Sequence, residues 1–186
     1  MGKLRYGGIT SLDGYVAGAD GSFDWAHPDE TVHAYVNDLE RGVGTYLYGR
    51  RMYEVMRYWD TAPTGEEEPR VVADYAAIWQ AADKIVYSST LEDAPTARTK
   101  LERRFDPDAV RALKHANDSD LTIGGPGLAA NALRAGIVDE IHRFVVPAIV
   151  GGGTGFLPED LRMDLELFDE RRFPNGTVYL AYRVVA

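Results

Sequence analysis

Three short stretches of the sequence carry residue types that can hold phosphate: Gly49-Arg50-Arg51, Ser88-Ser89-Thr90 and Gly124-Gly125-Pro126-Gly127. Each follows an apolar, β-prone run and so falls at the carboxyl end of a strand, where open α/β sheets bind their ligands. An arginine at a helix start can grip a phosphate through two parallel hydrogen bonds, and serine hydroxyls can donate to another. Glycines let the backbone approach closely, while helix N-termini add free N–H groups and a positive dipole. Taken singly, these are a solvated arginine pair, a strand end and a plain turn. Together they point to a ligand with several phosphates, which suits NADP better than a single sugar phosphate.

Read from Gly125, the third stretch gives G-P-G-L-A-A, the G-x-G-x-x-A spacing of a dinucleotide turn. In a Rossmann fold that turn opens the first βα unit, and an acid follows about twenty residues later on a second strand. Here the turn comes late in the chain, and position 145 is Val145. The turn is retained as a nucleotide-binding feature; the Rossmann fold is not.

The elements that must position these junctions follow from periodicity. Leu4–Thr10 reads as a first strand, and residues 11–25 as a loop rich in glycine and aspartate. Pro28 suits the first position of a helix whose stripe is Val32, Tyr35, Val36 and Leu39, ending near Gly42. Thr45–Tyr48 is β-prone, RRMYEVM opens a helix, and Val71, Tyr75, Ile78, Trp79 and Ala82 mark another. Residues 61–70, including the run Glu66–Glu68, read as a solvated loop. Strands are expected over 84–90 and 121–123, and helices from the Asp106-Pro107 cap to His115 and over 127–135, with Gly136 as the residue that stops the second. Glu140–Val150 is a β-branched run ending in three glycines, which either bend beside a ligand or end the strand. Leu165–Phe173 and Thr177–Val184 form a hairpin around Pro174-Asn175-Gly176. The alternation gives an α/β fold with a mixed sheet.

The 186 residues suit one domain spanning 1–186. A net charge of -9 argues against a nucleic-acid or anionic membrane surface. Without cysteine there is no disulfide, thiolate or Cys-ligated metal, and His27, His33, His115 and His142 show no metal spacing. No run approaches the ~18 apolar residues of a membrane span, and MGKLRYGG has no leader pattern, so a cytoplasmic location is expected. Trp59 and Trp79 sit at helical spacing from apolar neighbours and read as core.

SLDG (11–14), GRRMYE (49–54), VYSST (86–90), IGGPGLA (123–129) and VDEIHRFVVPAIVGGG (138–153), in that order, resemble the dihydrofolate reductase-like superfamily, and within it the RibD C-terminal-type reductases of riboflavin biosynthesis. The resemblance covers nearly the whole chain. It implies a three-layer fold: a mostly parallel eight-stranded sheet with a C-terminal antiparallel hairpin and helices on both faces. It implies an NADPH-dependent reductase, commonly a homodimer. Gly49, Arg50 and Arg51 would meet cofactor phosphates, and Ser88, Ser89 and Thr90 the adenosine ribose and its 2′-phosphate. Gly124, Gly125, Gly127 and Leu128 would pack under the pyrophosphate and nicotinamide, at a turn this fold often makes through a cis peptide. Ser11, Leu12, Asp13, Gly14 and Trp25 would line the substrate side.

Bacterial dihydrofolate reductases carry W-x-x-P-x-D, whose carboxylate assists protonation; Trp25 to Glu30 reads W-x-x-P-x-E. By that analogy Glu30 points inward, where burial would hold a proton for catalysis, with Asp13, Asp24 and Asp29 as further carboxylates. The chain departs from the folate enzymes in carrying Lys84 but no arginine before Ser88, and Met52 where they place threonine. It departs from the riboflavin reductases in having Gly7 where they carry lysine. The expectation is hydride transfer to a small heterocyclic or sugar-like substrate. The alternatives are dihydrofolate reduction and a non-catalytic NADP-binding module.

Overall fold

Along β3 (Val43–Gly49) the side chains alternate in environment. Leu47 faces one side of the sheet, Tyr46 and Tyr48 the other, and all three are buried. A strand buried on both faces needs cover on both, and this sequence supplies it. A computed structural model describes residues 1–63 and 69–185; residues 64–68, with the whole Glu66–Glu68 run, and residue 186 lie outside them. The first half comprises β1 (Leu4–Thr10), β2 (Tyr15–Ala17), α1 (Glu30–Glu40), β3, α2 (Arg50–Met56), α3 (Arg70–Ala81), β4 (Asp83–Tyr87) and β5 (Thr99–Glu102). The second comprises α4 (Pro107–Ala116), β6 (Asp120–Gly124), α5 (Pro126–Arg134), β7 (Glu140–Val145), β8 (Thr154–Gly155), β9 (Leu165–Arg172) and β10 (Val178–Val184).

Eight strands join in the order β5-β4-β3-β6-β1-β7-β10-β9, with β10 antiparallel to both its neighbours and the other pairs parallel. On one face Leu4, Tyr6, Leu47, Leu121 and Ile123 pack against Val110 of α4 and Leu128, Ala129, Ala132 and Leu133 of α5. On the other, Tyr46, Tyr48 and Val86 meet Tyr75 and Trp79 of α3, while Ile9, Phe144 and Tyr179 meet Val32 and Tyr35 of α1. The α/β, mostly parallel, two-faced architecture is the expected one.

The differences have local causes. Pro28 is not the first helical residue: Asp29 caps α1, its carboxylate accepting from the Val32 N–H at 2.9 Å. The strand begun at Glu140 stops at Val145, because the chain then turns through Pro147, which has no N–H for a ladder, and Ala148 O accepts from Leu12 N. β2 and β8 pair in a small separate sheet that periodicity did not signal, since two and three residues carry no period. Asp106 and Pro107 do start α4, and Gly136 (φ 62) does follow α5.

Seven tyrosines are packed so that burial pushes their phenols above the usual range: Tyr35 is raised, Tyr87 reaches about 12, and Tyr6, Tyr46, Tyr48, Tyr75 and Tyr179 go further. A phenol whose folded pKa is raised contributes stability fully present below its unfolded value near ~10 and lost above it. The protein is therefore expected to hold its fold to pH ~10 and unfold cooperatively as pH rises toward 12. Circular dichroism and phenolate absorbance, followed together, check this. Ionisation of all eleven tyrosines with the structure retained would contradict it.

Candidate cofactor and substrate site

Gly49 lies opposite Tyr87, and Tyr48 opposite Gly124, so the ends of β4, β3 and β6 open side by side on one edge of the sheet. Arg50 and Arg51 occupy the first turn of α2 there, both exposed. Arg50 Nη1 donates to Thr90 Oγ1 at 3.3 Å, which ties the first junction to the second, and its Nε approaches Glu54 at 3.4 Å. Arg51 has no carboxylate partner among the described residues. Gly125 turns the chain with φ +94, a conformation that disfavours side chains, and Pro126 then opens α5. The amides of the first turn of such a helix have no partner within it. Gly127 is exposed with open space where a Cβ would stand. The peptide at this turn is trans, so the expected cis bond is corrected.

Several assigned residues do other work. Ser88 is buried, and its Oγ accepts from the amides of Thr90 (3.3 Å) and Leu91 (3.0 Å). It folds the turn that leaves Ser89 and Thr90 exposed. Arg103 braces the same turn by donating to the carbonyls of Ser88, Leu91 and Glu92. Leu128 is a core residue of α5, although a Cβ at Gly49 would stand 3.6 Å from it.

At the neighbouring end of β1 the first loop and the glycine loop are knitted together. The Asp13 carboxylate accepts from Val150 N at 3.2 Å and Gly151 N at 2.8 Å; Leu12 N reaches Ala148 O, and Phe156 N reaches Gly14 O. β2 and β8 extend the seam, with Tyr15 paired to Gly155 and Ala17 to Thr154. A Cβ at Gly153 (φ +131) would lie 2.1 Å from Ala17 O, so only glycine fits. The three glycines do not end the strand, which stops earlier at Val145; they seat one loop on another at this end of the sheet. Arg143, which the sequence did not single out, reaches up from β7; its Nε donates to Thr10 Oγ1 at 2.7 Å and its Nη2 to Ser11 O at 3.3 Å.

These facts correct three roles. Asp13 is not a proton donor: the Ser11 hydroxyl and the Gly151 and Val150 amides hold its carboxyl below the usual carboxylate range, and it serves as a loop clasp. Ser11 is fully buried, with its Oγ accepting from Tyr15 N, and does not open to a substrate. Glu30 does not point inward but is exposed at the start of α1, on the rim of a groove of about 430 Å³ between α1 and α3. Asp29 is spent as a helix cap. Leu12 is 62% exposed on the rim, and Trp25 is half-buried in a 3-10 turn over Asp24–Ala26.

The fold defines the class. The chain has a TM-score of 0.64 to dihydrofolate reductase from Enterococcus faecalis complexed with NADP(H), at 17% identity, covering 99% of this chain and 97% of that one. It has the fold of dihydrofolate reductase. The RibD C-terminal domain profile matches residues 3–179, and the chain belongs to that family. A putative riboflavin biosynthesis protein from Shewanella has a TM-score of 0.77 at 20% identity, covering 99% of both chains. The riboflavin biosynthesis protein RibD of Mycobacterium tuberculosis is 33% identical over 150 residues, which are 77% of this chain and 41% of that protein.

Proposed function

We propose that this chain is an NADPH-dependent reductase that transfers hydride to a small heterocyclic or sugar-like substrate, of the kind reduced in riboflavin biosynthesis. The observation that carries the reading is the meeting, on one strand edge, of two helix N-termini, the Gly124-Gly125 turn and the Arg50–Thr90 pair beside Arg51. These residues fit a dinucleotide. Gly127 leaves room for a phosphate, the first-turn amides can donate to it, and Arg51 offers a guanidinium that no carboxylate among the described residues holds. NADPH would supply the hydride. The chain would orient it, with Arg50, Arg51, Ser89 and Thr90 toward the phosphates and Gly124-Gly125 leaving the backbone bare. The clasped loops 11–18 and 150–155 would form the wall that keeps water off the reacting end. The proton would come from solvent held near Glu30. The reading places the protein in the cytoplasm.

Two features favour this over folate reduction. Lys84, the one cation before Ser88 in that strand, is 1% exposed and donates to the carbonyls of Trp79 and Ala82, so it cannot grip an anionic tail. Met52 packs its side chain over Gly124 and Gly125 where a hydroxyl would have donated. Titration with NADPH and NADH, followed by tryptophan fluorescence, tests the reading. NADPH should bind more tightly, and Arg50→Ala/Arg51→Ala should weaken it by about 10- to 100-fold, the loss of one or two charge-assisted hydrogen bonds at ~1.5 kcal/mol each. Absence of binding by either nucleotide would overturn the proposal. Binding without turnover across a substrate panel would favour the non-catalytic module.

The same reading includes a homodimer. β9 is an edge strand with Leu165 (38%) and Leu167 (46%) exposed on one face, opposite Val184 and Tyr182 of β10. A second copy covering this face would remove the exposed leucines and an open edge at once. Light scattering should give twice the chain mass for the protein and the single mass for Leu165→Glu/Leu167→Glu. A monomeric parent protein would contradict the dimer.

A further inference from the structure

The strand registers align one polar residue from every strand of the large sheet. Thr99 pairs with Lys84, Lys84 with Tyr46, Tyr46 with Thr122, Thr122 with Arg5, Arg5 with Glu140, Glu140 with Arg183 and Arg183 with Glu166. The row crosses the sheet on the face covered by α1 and α3, away from the carboxyl strand ends. Toward both edges its members are satisfied. Lys84 donates to the carbonyls that end α3, Glu140 holds Lys3 at 2.6 Å and His142 at 3.2 Å, and Arg183 approaches Glu166 at 3.9 Å.

The middle of the row is different. Among the described residues, Thr122 Oγ1, Arg5 Nε and, on α1 above them, Glu40 Oε2 are buried with no well-formed hydrogen bond, and Tyr46 Oη has only a loose approach to the Glu40 and Tyr75 side chains. Arg5 is anchored just there, with Nη1 donating to Leu39 O at 3.1 Å and Nη2 facing Asp120 at 3.4 Å. Tyr46 is 1% exposed and Arg5 9%. Buried polar groups in native proteins are almost always paired, with protein or with ordered water. Four such atoms on adjacent strands and the helix above them call for partners in the space between α1 and the sheet.

We infer that a small cluster of ordered water molecules is a built-in part of this fold, bound between α1 and the sheet by Arg5, Glu40, Tyr46 and Thr122. The donor set selects the ligand. Arg5 Nε–H can only donate, which repels a cation. The Glu40 carboxyl, whose pKa burial raises, offers acceptor oxygens and in its ionised form repels an anion. The two hydroxyls can do either, so the ligand must be small, neutral and able both to donate and to accept, and water meets all three conditions. The site is independent of whether the chain binds a nucleotide.

A crystal structure that resolves ordered solvent is the direct test. It should show density within about 2.7–3.2 Å of at least three of the four groups. Direct Glu40–Tyr46 and Glu40–Arg5 bonds with no density between them would overturn the inference, and so would a metal ion with short oxygen contacts. In solution, oxygen-17 relaxation dispersion counts long-lived internal waters. Thr122→Val, nearly isosteric, should lower that count by at least one relative to the unaltered protein, and an unchanged count would contradict the site.

Discussion

Alanine in place of Gly124 is expected to lower the unfolding temperature by about 2–12 °C and to weaken NADPH binding at least about tenfold. The added Cβ would stand 2.9 Å from two ring atoms of Tyr48 and 3.1 Å from Met52 Cγ. Methionine can give way; the tyrosine cannot. Its hydroxyl accepts from Trp79 Nε1 at 3.2 Å, its ring stacks on Tyr46 at 5.5 Å, and it is 2% exposed. β6 must therefore draw back from β3, at the ~1–3 kcal/mol typical of overpacking, and the Gly125-Pro126 turn moves with it. Differential scanning calorimetry and the fluorescence titration read the two effects separately. Lost stability with unchanged NADPH affinity would place the turn outside the nucleotide groove and leave the packing argument intact.

Lys84 carries the second large effect. Its Nζ lies 4.1 Å over the Trp79 ring and donates to Trp79 O at 3.3 Å and Ala82 O at 3.0 Å, carbonyls at the end of α3. Burial lowers its pKa, so holding the charge there is costly in itself. Two effects oppose each other in Lys84→Met. Removing a buried charge recovers desolvation, while two helix-end carbonyls are left without a donor at ~1–3 kcal/mol each. With two acceptors and an aromatic face lost together, the second effect should win, by about 2–3 kcal/mol. Lys84→Ala adds an unfilled stem and should cost about 4–5 kcal/mol. Urea unfolding gives both values. A methionine variant as stable as the parent would mean that the amine only packs.

The three phosphate-type junctions were legible because each combines a β-prone run with residues whose chemistry is local: glycine, arginine and serine at a strand end. Their placement on a shared edge follows from parallel order, which alternating elements imply. What failed to show in the sequence was made by contacts between distant segments. Asp13 reads as an exposed loop acid until Gly151 arrives to occupy it, and Ser88 reads as a free hydroxyl until the turn it closes is seen. Glu30 sits where the W-x-x-P-x-E spacing put it, at a helix start, yet spacing along a chain does not fix which way that start faces. Arg143 gave no signal, because a lone cation in a β-branched run looks like a surface residue. The polar row was equally hidden, since it exists only across the strand registers.

Those registers also set an order of events. β1 is made before every other strand of this sheet, yet Leu4 pairs with Leu121 and Arg5 with Glu140, so its two ladders wait for segments more than a hundred residues downstream. Pairings so far apart in sequence must close large loops before they return any energy, which slows folding and keeps the strand unpaired in the meantime. On the ribosome, the first loop and its Asp13 emerge early and remain open until Gly151 to Gly155 follow. The wall of the candidate site is therefore among the last parts to assemble, and a chain cut short before residue 150 would carry Arg50 and Arg51 but no enclosure for what they hold.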